Sequence, residues 1–327
     1  MFTTTIGKDL QQTITLLNAN EVVAIPTETV YGLAANALSE AAVVKIFDAK
    51  QRPFFNPLII HVASIIDLDK YAKIDELSLK LAEQFMPGPL TLLLPKKEIV
   101  PDIVTAGSNK AAIRIPQHTL TLKLLQELNF PIAAPSANPF GYVSPVTAQH
   151  VFDGLYGKIP YILDGGNCKV GLESTIIEVK NGKVILHRVG GLSIELIEAV
   201  IGGKLIIKEF EKNPQTSGQL KSHYATSTDL IQGNVEELLL KYQNKKIAII
   251  SFKNIYHQIP LQDQFILSKE GDLNIAAQHL FSVMRSIDEK KYDIILAEIF
   301  PNEGLGKAIN DRLFRAQSSQ KSKYLFY

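Results

Sequence analysis

The stretch TIIEVKNGKVILHRV, residues 175–189, carries the sharpest local structural signal in the chain. Two runs rich in β-branched residues flank Asn181-Gly182, and this dipeptide favours the two-residue turn of a β-hairpin because both central residues of that turn need positive φ. The stretch therefore predicts an antiparallel pair of strands, 175–179 and 184–189. Such a pair excludes a purely parallel sheet in this part of the chain.

Upstream of the hairpin, short apolar runs alternate with helical patterns. Leu77, Leu81 and Phe85 repeat every four residues and mark the inner face of a helix, and further helices are predicted over 6–18 and 39–49. Strands joined partly by helices and partly by a hairpin predict an α/β fold, a twisted mixed sheet with helices packed against it. The other predicted strands are 22–25, 58–62, 91–94, 111–115, 132–133 and 161–163.

The chain has 327 residues, which is more than one domain usually needs. Around 204–232 the periodicity fades into a segment rich in Pro, Gly, Ser, Thr and Lys, which predicts an interdomain linker. Beyond it helices and strands alternate, with Asp272 as a good N-cap for the longest helix, and this predicts a smaller, doubly wound α/β domain. The predicted domains are 1–203 and 233–327, and the second contains a helix at 235–242 and strands at 246–252, 265–267 and 294–297.

Composition and charge exclude several classes of protein. Hydrophobic residues make up 46% of the chain and charged residues 20%, as in an ordinary globular protein rather than a disordered one. A formal net charge of +1 lacks the basic excess of a non-specific nucleic-acid binder, so any RNA contact must be weak and local. The single cysteine, Cys168, excludes an internal disulfide and a Cys-rich zinc site.

The N-terminal residues do not resemble a signal peptide, because no basic segment is followed by an apolar stretch and a small-residue cleavage site. No apolar run approaches the roughly 20 residues that span a bilayer. We therefore expect a cytoplasmic protein with no membrane partner.

Two motifs near the N-terminus place polar side chains around predicted strands. PTETVYGLAANA, residues 26–37, sets Thr27 just after a buried strand, where α/β sheets commonly bind ligands, although its hydroxyls could equally satisfy the backbone of a turn. KQRPFFNPLIIH, residues 50–61, begins with Lys50 and Arg52. These cations could clamp a polyphosphate, or they could simply suit the C-terminus of a helix.

Arg114 lies inside an otherwise apolar strand in the motif SNKAAIRIP. A buried guanidinium needs an anionic partner, which could be a carboxylate of the protein or a bound carboxylate or phosphate. The next loop, APSANPFGYVSP at 134–145, offers Ser136 and Ser144 for hydrogen bonds to a ligand. Ser144 could instead cap a helix, and Thr147 is the alternative cap.

Three glycines lie near Ser174 in GGNCKVGLESTIIEV, residues 165–179, and Arg188 ends the next predicted strand. Such glycines let backbone N–H groups approach an anion, although the signal is weaker than a P-loop and no GxxxxGKS/T occurs. The sequence also lacks the GxSxG, HExxH and dinucleotide GxGxxG motifs. What remains is polar and cationic loop residues, which suit substrate orientation and stabilisation of phosphoryl charge.

Taken in order, PTETVYGL, KQRPFFNPLIIH, MPGPLTLLL, AAIRIP, APSAN and GGNCKVGLESTII followed by HRVGG resemble the YrdC/Sua family of threonylcarbamoyl-AMP synthases. The linker and the α/β tail resemble the longer, two-domain form with a Sua-type C-terminal domain. The resemblance implies an enzyme, a nucleotidyltransferase, that joins L-threonine, bicarbonate or CO₂, and ATP into threonylcarbamoyl-AMP and releases pyrophosphate. That reaction is the first step of threonylcarbamoyladenosine modification of tRNA.

The resemblance also implies the residues of the site, with no covalent nucleophile. Mg²⁺ would accompany ATP, and the resemblance does not say which residues would bind it. The downstream tRNA threonylcarbamoyl transferase machinery would receive the product. Four residues are implied to bind L-threonine, namely Thr27, His61, Arg114 and Ser174. Eight are implied to bind ATP, namely Lys50, Arg52, Asn56, Lys110, Ser136, Ser144, Arg188 and Tyr224.

Two departures from the family pattern bear on this site. Lys110 stands where many relatives have threonine, so its contact with the nucleotide would be ionic. In the linker, which the family uses to cover the active site, His223 and Tyr224 are present but the neighbouring Tyr and Arg of the family motif are not.

Two other classes of protein were weighed against this enzyme. A YrdC-like module that binds double-stranded RNA or tRNA without catalysis stays open as the alternative. The carbamoyltransferase of hydrogenase maturation embeds a similar domain but carries Cys-rich zinc motifs, and the single cysteine of this chain excludes it.

Overall fold

A computed structural model describes residues 2–207 and 224–323, with side chains up to residue 317. Contacts divide the chain into two compact units. No helix in the described part is long and apolar enough to cross a membrane. The first unit comprises Met1–Phe140, Pro145–Lys169 and Glu173–Gln219, and the second comprises Gly141–Ser144, Val170–Leu172 and Leu220–Tyr327.

The first unit is built on a single sheet with helices packed against it. Its elements are β1 (Thr5–Gly7), α1 (Leu10–Asn18), β2 (Val23–Ile25), β3 (Gly32–Asn36), α2 (Glu40–Lys50), β4 (Ile59–His61), α3 (Ile65–Tyr71), α4 (Glu76–Phe85), β5 (Leu90–Pro95), α5 (Asp102–Thr105), β6 (Lys110–Arg114), α6 (Thr119–Glu127), β7 (Ile132–Ala133), α7 (Ala148–Leu155), β8 (Tyr161–Leu163), β9 (Thr175–Lys180), β10 (Lys183–Arg188), α8 (Ile194–Ile201) and β11 (Ile206–Ile207).

The strands of this sheet run in the order β1-β8-β2-β3-β7-β4-β6-β5-β9-β10-β11. β9 and β10 form the predicted antiparallel hairpin, with φ of 52° at Asn181 and 71° at Gly182 in its turn. β4 and β6 run parallel and pair His61 with Arg114 at their C-terminal ends. The predicted mixed α/β sheet is confirmed.

The core beside β2 shows how the helices are held. α1 and α6 bury Leu17, Leu124 and Leu125 against Val23 and Ile25 of β2. α1 begins after Asp9, whose carboxylate accepts a hydrogen bond of 3.1 Å from the Gln12 amide. This cap and the apolar stripe fix the helix against the strand that leads into the PTETVYGL motif.

Two elements near the N-terminus differ from the prediction. The helix predicted to begin at residue 6 begins at Leu10, because Thr5–Gly7 forms an edge strand parallel to β8. No strand was predicted at residues 32–36, which form the interior strand β3 between β2 and β7. Two alanines and a glycine have little β propensity, and the strand is instead defined by its two antiparallel neighbours.

The second unit has its own four-stranded sheet, and all its strands are parallel, in the order β12-β15-β13-β14. Its long helix α10 is capped by Asp272, as predicted, through hydrogen bonds from the amides of Asn274 and Ile275. The elements are β12 (Leu230–Gln232), α9 (Val235–Lys241), β13 (Ile247–Ser251), β14 (Gln264–Ile266), α10 (Leu273–Glu289), β15 (Ile294–Ala297) and α11 (Gly306–Lys323).

Helices cover both faces of this second sheet. α9 packs Val235 and Leu239 against Ile249 and Leu296 on one face. On the other face, the side-chain amide of Gln232 donates a 2.8 Å hydrogen bond to Asn310 of α11. The predicted doubly wound α/β architecture is confirmed.

Both ends of the predicted linker, 204–232, belong to sheets. Ile206–Ile207 pairs with β10 in the first sheet, and β12 is a strand of the second. Strands of two or three residues show no periodicity, so the sequence pattern did not distinguish them from a linker.

Two short segments from the N-terminal part of the chain also belong to the second unit. In the segment 141–144, the Tyr142 hydroxyl lies 3.0 Å from the Asp288 carboxylate, and the Arg285 guanidinium lies 4.8 Å from the Tyr142 ring centroid. In the segment 170–172, Gly171 has φ of 77°, and a Cβ there would lie 2.5 Å from Cα of Gln278 in α10. Gly171 therefore allows a close helix approach, which is a different role from the anion contact considered from the sequence.

Candidate active site

A buried ion pair lies at the end of β6. Arg114 Nη2 is 2.6 Å from Glu28 Oε1, and both side chains are only 4% exposed. The pair is close in distance but lacks hydrogen-bond geometry, since both Glu28 oxygens and Arg114 Nε and Nη2 are buried without a hydrogen-bond partner in the described residues. Arg114 Nη1 donates a 2.9 Å hydrogen bond to the Thr29 hydroxyl. The internal carboxylate left open by the sequence is thus Glu28, and the pair keeps unused donors and acceptors.

Thr27 organises the turn that carries Glu28. Its hydroxyl donates to the Val30 carbonyl at 2.6 Å and accepts from the amides of Thr29 and Val30, both at 3.2 Å. It also lies 2.8 Å from the Thr29 hydroxyl. Thr27 thus satisfies the backbone of the turn, as one of the two sequence-based interpretations expected, and the turn holds Glu28 and Thr29 toward Arg114. The contact of Thr27 with L-threonine stays a prediction.

His61 is a neutral imidazole beside this pair. It ends β4 next to Arg114 in the sheet register, and its Nδ1 lies 3.2 Å from the Ile59 carbonyl. Burial, and then the charge of Arg114, lower the pKa of His61 from 6.5 to about 3. At neutral pH the ring offers one donor and one acceptor without charge.

Ser174 and Arg188 form a second group. Arg188 donates from Nε to the Ser174 carbonyl and from Nη2 to the Ser174 hydroxyl, both at 3.0 Å. The Ser174 hydroxyl also lies 2.7 Å from the Thr91 hydroxyl. Gly190 makes this approach possible, because a Cβ there would lie 2.3 Å from the Glu173 carbonyl. The glycine thus brings the HRVGG turn against the strand that carries Ser174.

Lys50 and Ser136 form a third group. Lys50 is the last residue of α2, and its buried ammonium donates to the Ser136 carbonyl at 2.5 Å and to the Asn138 carbonyl. Burial, and then the charge of Arg52, lower the pKa of Lys50 well below its usual 10.5. No carboxylate pairs with this ammonium among the side chains that the structure describes.

Arg52 and Asn56 share the loop after α2. Arg52 donates from Nε to the Asn56 carbonyl at 3.2 Å and from Nη2 to the Pro57 carbonyl at 3.0 Å. The Asn56 side chain is fully buried, and neither its amide nitrogen nor its amide oxygen has a hydrogen-bond partner within the described residues. A buried, unpaired amide of this kind is ready to bind a polar ligand.

Lys110 belongs to a separate cluster at the opposite end of β6 from Arg114. Its ammonium lies 2.5 Å from Glu178 Oε1, and His187 Nε2 lies 2.9 Å from Glu178 Oε2. Burial raises the pKa of Glu178, but the hydrogen bonds from His187 and Lys110 outweigh burial and lower it from 4.5 to about 2. The structure therefore gives Lys110 a carboxylate of its own and does not bring it next to Arg114.

This cluster gives a prediction about stability and pH. Glu178→Gln should lower the free energy of unfolding at pH 7 by roughly 1–3 kcal/mol, because the folded state holds this carboxylate ionised. Because folding depresses the pKa of Glu178, the difference in unfolding free energy between variant and wild type should be fully present above about pH 4.5 and should fade as the pH falls toward 2. Urea unfolding at a series of pH values measures it.

The exposed pair Lys97–Asp69 supplies the control for Glu178→Gln. Asp69 is 73% exposed and lies 3.2 Å from Lys97, so Asp69→Asn should change stability by less than about 1 kcal/mol. Equal losses in both variants would mean that the buried position of Glu178 has no special effect.

Ser144 and Tyr224 lie in the second unit, apart from the groups above in the contact division. The Tyr224 ring stacks on Phe281 at 5.5 Å and lies 5.0 Å from the Arg312 guanidinium. Its ring is therefore packed within that unit. Thr147, not Ser144, is the N-cap of α7. His223 lies outside the described residues.

The first α/β domain carries buried cations, a neutral histidine and unpaired polar atoms on its sheet. Side chains of this kind are those that a site for a small, polar, anionic ligand needs. A second, doubly wound domain follows it. Two family models match these two parts, one described as telomere recombination (Sua5/YciO/YrdC) over residues 15–190 and one as the C-terminal domain of threonylcarbamoyl-AMP synthase over 192–318.

Relatives with both parts are similar along nearly the whole chain. A threonylcarbamoyl-AMP synthase of Pyrococcus abyssi is 42% identical, covering 92% of this chain and 91% of its own. One of Bacillus subtilis is 40% identical, covering 94% and 92%. The crystal structure of P. abyssi Sua5 complexed with L-threonine has a TM-score of 0.88 at 38% identity and covers 98% of each chain. The structure of YciO from E. coli shares the fold of the first part, with a TM-score of 0.52 at 19% identity.

The chain belongs to the YrdC/Sua family of threonylcarbamoyl-AMP synthases, in its two-domain form. The predicted family, and with it the prediction of an enzyme of the nucleotidyltransferase type, is confirmed.

Proposed function

We propose that this protein joins L-threonine, bicarbonate or CO₂, and ATP into threonylcarbamoyl-AMP and pyrophosphate, as the first step of threonylcarbamoyladenosine formation in tRNA. The observation that carries the proposal is the buried Arg114–Glu28 pair with its unpaired polar atoms. An amino acid brings a carboxylate and an ammonium at fixed separation, and this pair supplies an opposite charge for each.

L-Threonine fits the residues around that pair. Arg114 keeps Nε and Nη2 free of hydrogen bonds and can donate both to the substrate carboxylate. Glu28 can accept the ammonium, and neutral His61 and the Ser174 hydroxyl offer uncharged hydrogen bonds to the rest of the substrate. These contacts orient the amine for the next step.

The side chains proposed to bind ATP belong to the other clusters described above. Lys50, Arg52 and Arg188 would neutralise the phosphates, and the unpaired amide of Asn56 would bind a polar group of the nucleotide. Lys110, Ser136, Ser144 and Tyr224 keep the expectation drawn from the family. The structure describes no cluster of three or more His, Cys, Asp or Glu side chains able to hold a metal, so the proposal has Mg²⁺ arrive with the triphosphate as part of the substrate.

The chemistry follows from orientation and charge. The threonine ammonium loses one proton to solvent, and the resulting amine attacks the carbon of CO₂ and loses a second proton to solvent, which gives a carbamate. A carbamate oxygen then attacks the α-phosphorus of ATP while the bond to pyrophosphate breaks. The protein supplies positioning and cations for the developing phosphoryl charge. Cys168 is not needed as a nucleophile, and burial, then the charge of Glu28, raises the pKa of its thiol and keeps it protonated.

Pyrophosphate exchange tests the proposal. The purified chain should exchange labelled pyrophosphate into ATP only when both threonine and bicarbonate are present, and mass spectrometry should detect the adenylate. A folded protein with neither activity would overturn the proposal, and binding of tRNA by that protein would favour the non-catalytic RNA module. Supply of the product to the tRNA threonylcarbamoyl transferase machinery, in the cytoplasm, belongs to the same proposal.

Glu28→Gln tests the amino-acid part of the site. Losing the negative charge should raise the threonine KM about 10- to 100-fold, because a charge-assisted contact to the ammonium is lost, while ATP affinity changes little. Steady-state kinetics with each substrate varied measures both. Glu21→Gln, in a partly exposed pair with Lys45, is the matched control and should leave both values unchanged. A threonine KM unaffected by Glu28→Gln would limit Glu28 to holding Arg114.

A further inference from the structure

The second unit contains an open crevice of about 530 Å³, a volume typical of small-molecule sites. It is lined by the residues that directly follow three strands: Gly233 after β12, Phe252 after β13 and Glu298 after β15. β12, β15 and β13 are neighbours in the parallel sheet, so their C-terminal ends meet along one edge. None of the residues that line the crevice is among those proposed above to bind threonine or ATP.

The chain reverses its winding at this edge. After β12 it forms α9 on the face that holds Ile231 and Ile249, whereas after β15 it forms α11 on the face that holds Gln232. The neighbouring strands β13 and β15 are therefore followed by segments on opposite faces, because Tyr256 and Ile259 after β13 pack on the α9 side. Open α/β sheets bind ligands at such a switch point, outside the carboxyl ends of the strands.

Glu298 supplies a fixed acceptor in the crevice. Its carboxylate is 7% exposed and accepts hydrogen bonds from the Phe252 amide at 2.6 Å, from the Asn254 side chain at 2.7 Å and from the Tyr256 hydroxyl. A carboxylate has about four acceptor positions, so one remains on Oε2. No ion pair compensates Glu298 within the described residues. A ligand that donates a hydrogen bond here, such as a hydroxyl, would use the remaining position.

The rest of the lining selects among ligands that carry hydroxyls. Phe252, Phe300 and Tyr256 give flat apolar surface for a ring. The turn from β12 into α9 has the single glycine Gly233 and lacks a glycine-rich phosphate loop. Lys253 also lines the crevice, whereas Glu236 and Glu237 in the first turn of α9 do not, so the lining accepts a ligand with or without a phosphate.

We infer that this crevice binds a nucleoside, with a ribose hydroxyl donating to Glu298 and the base lying against the aromatic side chains. The ligand class follows from the free acceptor of Glu298 and the aromatic lining together. A nucleoside fits because it combines a flat ring with vicinal hydroxyls.

Binding to the full chain, localised by NMR, tests this inference. Adenosine, guanosine, cytidine and uridine would each be titrated into ¹⁵N-labelled protein, and at least one should shift the amides of Gly233, Phe252 and Glu298. The corresponding 5′-monophosphate should bind at least as tightly, because Lys253 places a cation in the lining. Failure of all four nucleosides to shift these amides would overturn the inference, as would shifts confined to residues 50–61 and 110–114.

The hydroxyl contact is tested by combining ligand and protein changes. The 2′-deoxy or the 3′-deoxy form of the bound nucleoside should bind the wild type about tenfold more weakly, and Glu298→Gln should remove most of that difference. Glu303→Gln, on an exposed residue just beyond the crevice, should retain it. If removal of either hydroxyl weakened nucleoside binding equally in the Glu298→Gln and Glu303→Gln variants, the role of Glu298 would be refuted. Synthesis of threonylcarbamoyl-AMP is measured separately, so its failure and the failure of this inference remain distinct.

Discussion

Arg114→Gln should raise the threonine concentration needed for half-maximal activity about 100-fold or more, with a much smaller change in the ATP requirement. The guanidinium is the buried cation whose unpaired N–H groups can bind the substrate carboxylate, and a neutral amide replaces at most one of those charge-assisted hydrogen bonds. Initial rates with threonine and ATP varied in turn measure the two requirements.

The same variant should also lower stability, which separates two roles of Arg114. Removing the cation leaves Glu28 buried without its ion partner, and breaking a buried pair in this way typically costs about 3–5 kcal/mol. The double variant Arg114→Gln with Glu28→Gln removes both charges and should recover most of that loss. Threonine binding should not recover, because neither charge is then present for the substrate.

Denaturant unfolding and threonine titration of the three variants decide between these roles. Recovery of both stability and threonine binding in the double variant would show that Arg114 has only a structural pairing with Glu28. Recovery of stability alone is the result expected of a substrate-binding pair.

Lys50→Met should weaken ATP binding about 10- to 100-fold, because it removes a buried cation at the end of α2 while keeping the length of the side chain. The pKa of Lys50 is held low in the free protein, and the phosphates should raise it. ATP binding should therefore take up protons at pH values above the pKa of Lys50 in the free protein, where part of its amine is neutral. Titration calorimetry in two buffers of different ionisation enthalpy measures that uptake, and it should disappear in the variant.

Lys45→Met is the matched control, since Lys45 lies on the same helix in a partly exposed pair with Glu21. It should bind ATP as the wild type does, with the same proton uptake. Because Lys50→Met also leaves the carbonyls of Ser136 and Asn138 without a donor, thermal unfolding must show that the variant is folded at the temperature of measurement. Wild-type ATP affinity in a folded Lys50→Met variant would remove Lys50 from the nucleotide site.

Strong local signals predicted much of the fold. The Asn181-Gly182 turn, the Asp272 cap and the four-residue spacing of Leu77, Leu81 and Phe85 each act within a few residues, and the structure has the hairpin and both helices. Elements defined by distant neighbours were missed. β3 has weak propensity of its own and exists because β2 and β7 lie on either side of it.

The residues of the site likewise separate into those visible in local sequence and those that depend on distant neighbours. A charge within an apolar strand is visible in sequence, which is why Arg114 was recognised as a buried cation in need of a partner. The carboxylates that pair with Arg114 and Lys110 were not predictable, because Glu28 reaches Arg114 only through the folded turn after β2, and Glu178 reaches Lys110 through the pairing of three strands. Glu28 stands between two threonines in the most unusual motif of the chain, and that is the signal that could have drawn attention to it.

The loop segment at Tyr142 has a consequence for how such a protein can evolve. Tyr142 takes its partners, Asp288 and Arg285, from a helix encoded far downstream. A gene that lost the region for the second domain would encode a loop without these contacts. We therefore expect relatives without the second domain to differ from this chain at positions 141–144 and 170–172, where the present side chains suit the helix.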